Sequence, residues 1–212
     1  MRVLVACEYS GTVRDAFIRA GHYAASCDLL PSESPLGDHY QCSVLDILDH
    51  DWDLMIAHPP CTYMSNAGAC RMYPQKGVID PQRLAKALEA KEFFMALLDA
   101  PIPMICVENP KPLNIVGLPH ESQTVQPWMF GEPYTKKTLL WLKNLPQLMP
   151  TDIVTDDIVP FCPSGTSRKL GGKSLGAAIR GDDAKNRSKF FKGIANAMAE
   201  QWGIDSPQKV LI

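Results

Sequence analysis

Arg2-Val3-Leu4-Val5-Ala6-Cys7-Glu8-Tyr9-Ser10-Gly11-Thr12 is the stretch on which the reading of the fold turns. From Val3 to Cys7 the run is unbroken and apolar. That is the pattern of a parallel strand buried on both faces, because a strand with one wet face would alternate. Glu8 to Gly11 then make a turn, and Val13, Phe17 and Ala20 mark the inward face of a short helix that Gly21 ends. The apolar run is also too short for the core of a signal peptide and meets an acid at once, so a cytoplasmic protein is expected.

The same alternation continues outward from this unit. Residues 23–27 read as a second strand ending at Asp28, residues 39–44 as a weak third and residues 52–57 as a clear fourth. Asp80-Pro81 supplies an N-cap and a first-turn proline. Leu84, Leu88, Phe94 or Met95, and Leu98 then stripe a helix of about 19 residues. Residues 103–107 form a fifth strand ending at Glu108-Asn109-Pro110, and residues 122–125 and 138–142 two more. A last helix spans 187–202, with Phe191, Ile194, Met198 and Trp202 facing inward. Strands separated by helices, joined by right-handed crossovers, predict a doubly wound α/β fold with a mostly parallel sheet.

Composition narrows the class. The 212 residues suit one domain, and 46% apolar with 21% charged residues argues against disordered and coiled-coil chains. No run approaches the roughly 20 apolar residues of a transmembrane helix, so no membrane partner is expected. Seven cysteines without a C-x-x-C pair suggest neither a disulfide framework nor a zinc ribbon, and no metal is expected. Cys7, Cys27, Cys42 and Cys106 read as small buried thiols. The formal charge of -2 conceals an asymmetry: Arg168, Lys169, Lys173, Arg180, Lys185, Arg187, Lys189 and Lys192 stand against Asp182 and Asp183 alone between residues 166 and 192. A stretch of that sign can touch a polyanion even in an acidic protein, although a charge run is as readily a solvated face.

In doubly wound sheets ligands bind at the carboxyl ends of the strands, and the residues there carry chemistry. Glu8 to Thr12 contain too few glycines for a dinucleotide fingerprint or a Walker loop. Asp28 follows Cys7 at close to the spacing at which a second-strand acid meets ribose hydroxyls, which points to a nucleoside-containing cofactor without a phosphate cradle. Pro59-Pro60 stiffen the backbone after a buried strand and aim Cys61 at the cleft. A free thiol is only a few per cent ionised at neutral pH, so a nucleophilic Cys61 needs a cation, for which His58, Lys136 and Lys137 are candidates. Glu108 ends the neighbouring strand. A thiol paired with a carboxyl is what attack on C6 of a pyrimidine requires, since sulfur adds at C6 while the acid neutralises charge developing at N3.

With these motifs in this order, the sequence resembles the DNA (cytosine-5)-methyltransferase family, in its compact phage and prophage type. Residues 3–11 match the family's cofactor loop, Ser26-Cys27-Asp28-Leu29-Leu30-Pro31 its second-strand acid segment, and His58-Pro59-Pro60-Cys61 its nucleophile motif. Glu108-Asn109 match the base-binding motif, with Pro110 as in the compact branch. Residues 126–131 and 135–142 resemble the segment bearing the basic contact to the base, and residues 193–203 the closing helix. The resemblance implies a Rossmann-like S-adenosylmethionine-dependent methyltransferase fold and a single domain over residues 1–212. It makes Cys61 the nucleophile and Glu108 the ligand of the ring nitrogen, with Lys136 or Lys137 as the basic residue near O2. S-adenosylmethionine would lie against Glu8, Tyr9, Ser10 and Gly11, with its ribose on Asp28 beside Leu29 and with Pro59 near its sulfonium.

Two departures from the pattern matter. Where the family's third strand ends Gly-Asp, the Asp binding adenine, this chain reads Cys42-Ser43, with Asp46 three residues on. The target-recognition region shrinks to the 41 residues 146–186, whose Arg168, Lys169 and Lys173 can hold phosphate but leave little room to read a long sequence. The implied partner is DNA. Single-stranded DNA, RNA or a free pyrimidine nucleotide are alternative substrates, and a non-catalytic nucleic-acid-binding protein of the same fold is the alternative of a different class.

Overall fold

In the computed structural model, which describes residues 1–161 and 189–204, the first strand divides its side chains between two cores. On β1 (Arg2–Ala6), Val3 and Val5 join the core of Val13 and Phe17, whereas Leu4 and Ala6 join that of Phe94 and Leu97. Alternating side chains of a strand point to opposite faces, so an all-apolar strand must be covered twice. α1 (Thr12–Arg19) and the closing α4 (Lys192–Trp202) cover one face. α3 (Pro81–Leu98), preceded by the single-turn α2 (Ala69–Met72), covers the other.

The sheet has seven strands in the order β3-β2-β1-β4-β5-β8-β6. Its members are β1, β2 (Tyr23–Cys27), β3 (Asp38–Tyr40), β4 (Leu54–Ala57), β5 (Met104–Asn109), β6 (Gln123–Val125) and β8 (Thr138–Lys143). β8 runs antiparallel to both β5 and β6, and every other pairing is parallel. This is the doubly wound, Rossmann-like α/β arrangement expected from the sequence. The chain winds from β1 toward β3 and then reverses to β4 and β5, leaving a crevice at the carboxyl ends of β1 and β4. β7 (Tyr134–Thr135) and β9 (Val159–Pro160) form a separate parallel pair.

Several boundaries differ from expectation for local reasons. β3 stops at Tyr40 rather than residue 44, because Ser43 Oγ accepts from Leu45 N–H and starts a 3₁₀ turn. β5 continues through Glu108 and Asn109, which pair with Leu140 and Leu139 of β8. Glu108 therefore sits on a strand and not in the loop after it. In α3, Asp80 Oδ1 accepts from Arg83 N–H as its N-cap, but the buried face runs through Ala87, Phe94 and Leu97, and Leu88 is 42% exposed. α4 starts at Lys192, because Phe191 is an extended N-cap residue with its ring in the core; residues 187 and 188 lie outside the described residues. Ala20 is exposed beyond the end of α1.

Candidate active site at the carboxyl ends of the strands

The first turn is built around Glu8. Its Oε1 accepts from Val13 N–H at 2.8 Å and its Oε2 from Arg14 N–H at 3.1 Å, and Ser10 Oγ lies 3.3 Å from Oε1. A carboxylate there satisfies orphan donors and the positive end of the α1 dipole. Gly11 makes the bend possible: its φ is 74°, and a Cβ would stand 2.7 Å from Arg14 Nη2 and 2.8 Å from Ser34 Cβ. Glu8, Tyr9 and Ser10 line a small cavity of about 80 Å³ with Cys7, His58, Lys189 and Phe190.

Cys7 also lines a second cavity, of about 220 Å³, walled by Cys27, Asp28, Leu29, Cys42, Ser43, Val44, Pro60 and Phe93. Its walls are mostly apolar. Burial is the main cause that pushes the thiols of Cys7 and Cys27 up to about 12, followed by the charge of Asp28 for Cys7 and by the neighbouring Cys42 for Cys27. Cys27 Sγ lies 3.9 Å from Cys42 Sγ. Asp28 stands just past β2, where its Oδ1 accepts from Leu30 N–H at 2.9 Å. Ser43 lines the cavity; Asp46 is exposed and is not among the lining residues. The two cavities share Cys7 as a lining residue.

The other half of the site joins β4 to β5. Asn109, 1% exposed, donates from Nδ2 to the Pro59 carbonyl at 2.9 Å, which fixes the start of the Pro-Pro turn. Cys61 opens the next turn, its carbonyl accepting from Met64 and Ser65 N–H at 3.1 and 2.9 Å. Met64 and Ser65 are tied in turn to Leu113 and Pro112 beyond β5. The Cys61 thiol is raised above its ordinary value by burial and then by the charge of Glu108, while the charge of Lys136 pulls it down. Cys61, Glu108 and Lys136 thus share one electrostatic neighbourhood.

Lys136 follows β7, with Nζ 5.4 Å from the Phe161 ring centre and 5.3 Å from that of Phe191. Lys137 points elsewhere, into a cavity of about 370 Å³ with Lys111, Asn114, His120 and Glu121. The adjacent lysines therefore serve different surfaces, as successive residues of extended chain do. Arg168, Lys169 and Lys173 lie outside the described residues. Of the basic stretch, Lys189 is described and pairs with Glu33 at 2.6 Å. Among the described residues no His, Cys, Asp or Glu cluster could hold a metal, and no helix is long and apolar enough to cross a membrane.

Two features escape the sequence reading. His58, a candidate cation for Cys61 on sequence, turns to Glu108: its Nδ1 stands 3.2 Å from Glu108 Oε2, and its ring packs against Phe190 with centres 4.7 Å apart. Its Nε2 is buried without a hydrogen-bond partner. Arg14 is fully buried, donating to Ser26 Oγ, Ser32 Oγ and the Ser34 carbonyl at 3.0, 3.2 and 3.2 Å and pairing with Asp15 at 2.8 Å. It fastens the loop after Asp28 to α1. A charged residue three positions before Phe17, between Val13 and Ala16, is the signal that identifies it as inward-facing.

No protein-family model matches the chain, and no curated protein does. Among solved structures it is similar to an E. coli prophage-encoded protein described as a DNA modification methyltransferase, with 15% identity, a TM-score of 0.45, and coverage of 73% of this chain and 52% of that one. A mutant of Spodoptera frugiperda DNMT2 gives 15% identity, a TM-score of 0.39, and 76% and 57% coverage. The Entamoeba histolytica methyltransferase EhMeth gives 14%, 0.41, and 73% and 57%. The chain spans a little over half the length of these proteins.

Proposed function

We propose that the protein transfers a methyl group from S-adenosylmethionine to C5 of cytosine in DNA, through a covalent bond between Cys61 Sγ and C6 of the base. The observation that carries this reading is the parallel pairing of β4 with β5, which, with the Asn109–Pro59 hydrogen bond, sets the turn bearing Cys61 beside the strand bearing Glu108, where the charges of Glu108 and Lys136 both act on the thiol. The cavity pair beside them supports a nucleoside-containing cofactor: an apolar chamber suits a purine, Asp28 a ribose, and the turn at Glu8 to Gly11 an amino-acid end. When bound, S-adenosylmethionine supplies an electrophilic methyl at its sulfonium.

The chain's own residues do the remainder. A cytosine flipped from the stack, at a cost of a few kcal/mol, presents N3 to Glu108, whose proton neutralises charge there as sulfur adds. Hydrogen bonding to N3 also removes the negative charge that raises the Cys61 thiol, and Lys136 favours the thiolate. Sγ bonds to C6, and the C5–C6 π electrons become the nucleophile at C5. Methyl transfer to C5 would break the methyl–sulfonium bond and leave a neutral thioether; passage of the C5 proton to water then restores the C5–C6 double bond, expels the Cys61 thiolate and returns the N3 proton to Glu108. Pro59, Pro60 and Asn109 hold the thiol for this attack.

Incubation with tritium-labelled S-adenosylmethionine and DNA, followed by digestion to nucleosides, tests the reading. Label in 5-methylcytosine is expected, and label in N-methylated bases or in none overturns it. Duplex, single-stranded DNA, RNA and free nucleotide compared in the same assay assign the substrate.

A further inference from the structure

Pro110 and Pro112 carry the chain out of β5 and have no N–H for the sheet ladder, so the segment is tied to the turn after Cys61 instead. Leu113 N–H donates to the Met64 carbonyl at 2.7 Å, Asn66 N–H to the Lys111 carbonyl at 2.8 Å, and Ser65 bridges Pro112. Gly117, with φ of 65°, then reverses the chain, and Trp141 Nε1 donates to the Pro119 carbonyl at 2.9 Å. Between these two lengths and Leu139 of β8 lies the cavity of about 370 Å³ that holds Lys137. Ligand cavities begin at roughly 300 Å³, so this one has room for a small group by itself. Its floor is apolar, with Leu113 and Leu139 buried and Leu118 half-buried. Its rim sets Lys111 and Lys137 against Glu121, and a Cβ on Gly117 would stand 3.5 Å from Lys91 Nζ. None of these three lysine side chains has a hydrogen-bond or ion-pair partner among the described residues. Asn114 and His120, also on the rim, are exposed and offer donors and acceptors.

Unpaired cations beside an apolar floor suit a ligand that joins an anion to a flat apolar face, and a nucleotide is such a ligand. The place of the cavity says which nucleotide. Its wall at 111–113 is bonded to residues 64–66, and Cys61 opens that same turn, its carbonyl accepting from Met64 and Ser65 N–H. We propose that the cavity is a reading subsite for a nucleotide flanking the target cytosine, an inference that rests on the methyltransferase reading. Lys111 and Lys137 hold backbone phosphate, which positions the strand without reading it. Asn114 and His120 hydrogen-bond the edge of the flanking base above the leucine floor. Part of the target sequence is thereby read on the catalytic body, outside residues 146–186.

A DNA pool holding one cytosine between randomised flanks, methylated in duplex and single-stranded form and read by bisulfite sequencing, reports the preference at every neighbouring position at once. The wild type is expected to favour one base at one flanking position. The double variant Asn114→Ala/His120→Ala is expected to flatten that preference by about fivefold or more and to leave other positions as they are. Lys111→Gln is expected to keep the preference and to lower the slope of log DNA affinity against log salt by about 0.9. S-adenosylhomocysteine binding equal to that of the wild type shows that the variants are folded. Methylation by the wild type without preference beside the cytosine, a preference that persists in the double variant, or an unchanged slope in Lys111→Gln overturns the inference and leaves the methyltransferase reading standing. A wild type that methylates nothing in either pool overturns both.

Discussion

His58 Nδ1 and Glu108 Oε2 stand 3.2 Å apart, so the ends of β4 and β5 are joined by side chains as well as by the sheet ladder. One residue further along each strand a second clasp repeats the link, from Asn109 Nδ2 to the Pro59 carbonyl at 2.9 Å. Between them these contacts fix the carboxyl group and the thiol-bearing turn relative to one another.

The first consequence concerns the ionisation of Cys61. Burial and the Glu108 charge raise the thiol, and Lys136 lowers it. Glu108→Gln removes a raising charge, so thiolate forms at lower pH; Lys136→Met removes a lowering charge, so it forms at higher pH. Iodoacetamide alkylation, followed against pH and resolved to Cys61 by mass spectrometry, is expected to shift its midpoint in those two directions. Identical profiles for the three proteins would contradict the electrostatic grouping.

The neighbouring lysines give a separable prediction. Lys137, a candidate for the basic residue near O2 on sequence, lines the cavity with Lys111 and His120 and is not among the groups that shift the Cys61 thiol, so we place it on the nucleic-acid backbone instead. Lys137→Gln is expected to lower the slope of log affinity for duplex DNA against log salt by about 0.9, the loss of one phosphate contact, while leaving Cys61 alkylation unchanged. An unchanged slope with an altered alkylation profile would reverse the assignment of the two lysines.

Much of this was legible in the sequence. The run from Val3 to Cys7 specified a doubly buried strand, and the sequence placed Pro59-Pro60-Cys61 and Glu108 at the ends of neighbouring strands. Missing was what depends on side chains meeting across the sheet. That Glu108 lies inside β5 follows from its pairing with Leu140, and that His58 turns to Glu108 follows from the parallel register of β4 on β5. Neither is a local property. Lys136 and Lys137 are equivalent by type and spacing, and the β7–β9 pair that brings Lys136 beside Phe161 is too short to leave a pattern.

Arg14 tests the packing side. Its guanidinium serves Ser26, Ser32 and Ser34 in a fully buried position. Arg14→Met keeps the stem but strips several buried acceptors of a charged donor, and a loss of about 2–4 kcal/mol is expected. In urea unfolding the midpoint should fall with little change in slope. A midpoint equal to that of the wild type would contradict the role given to Arg14.

Gly193 tests the docking of α4. A Cβ there would run into the carbonyl of Phe130, and its N–H donates to Glu132 Oε1 at 2.9 Å. The closing helix can approach the Phe130 turn this closely only with glycine. Gly193→Ala is expected to cost about 1–3 kcal/mol in the same unfolding assay, and a neutral result would contradict the close approach.

The central claim is that Cys61 forms a bond to C6 of a target cytosine. Incubation with S-adenosylmethionine and an oligonucleotide in which 5-fluorocytosine replaces cytosine blocks the final loss from C5 and should trap the protein on the DNA. The expected result is a denaturation-resistant adduct that mass spectrometry maps to Cys61 and that is absent from Cys61→Ser. A protein that binds both ligands and methylates DNA yet forms no adduct, or forms it at another cysteine, would contradict the account.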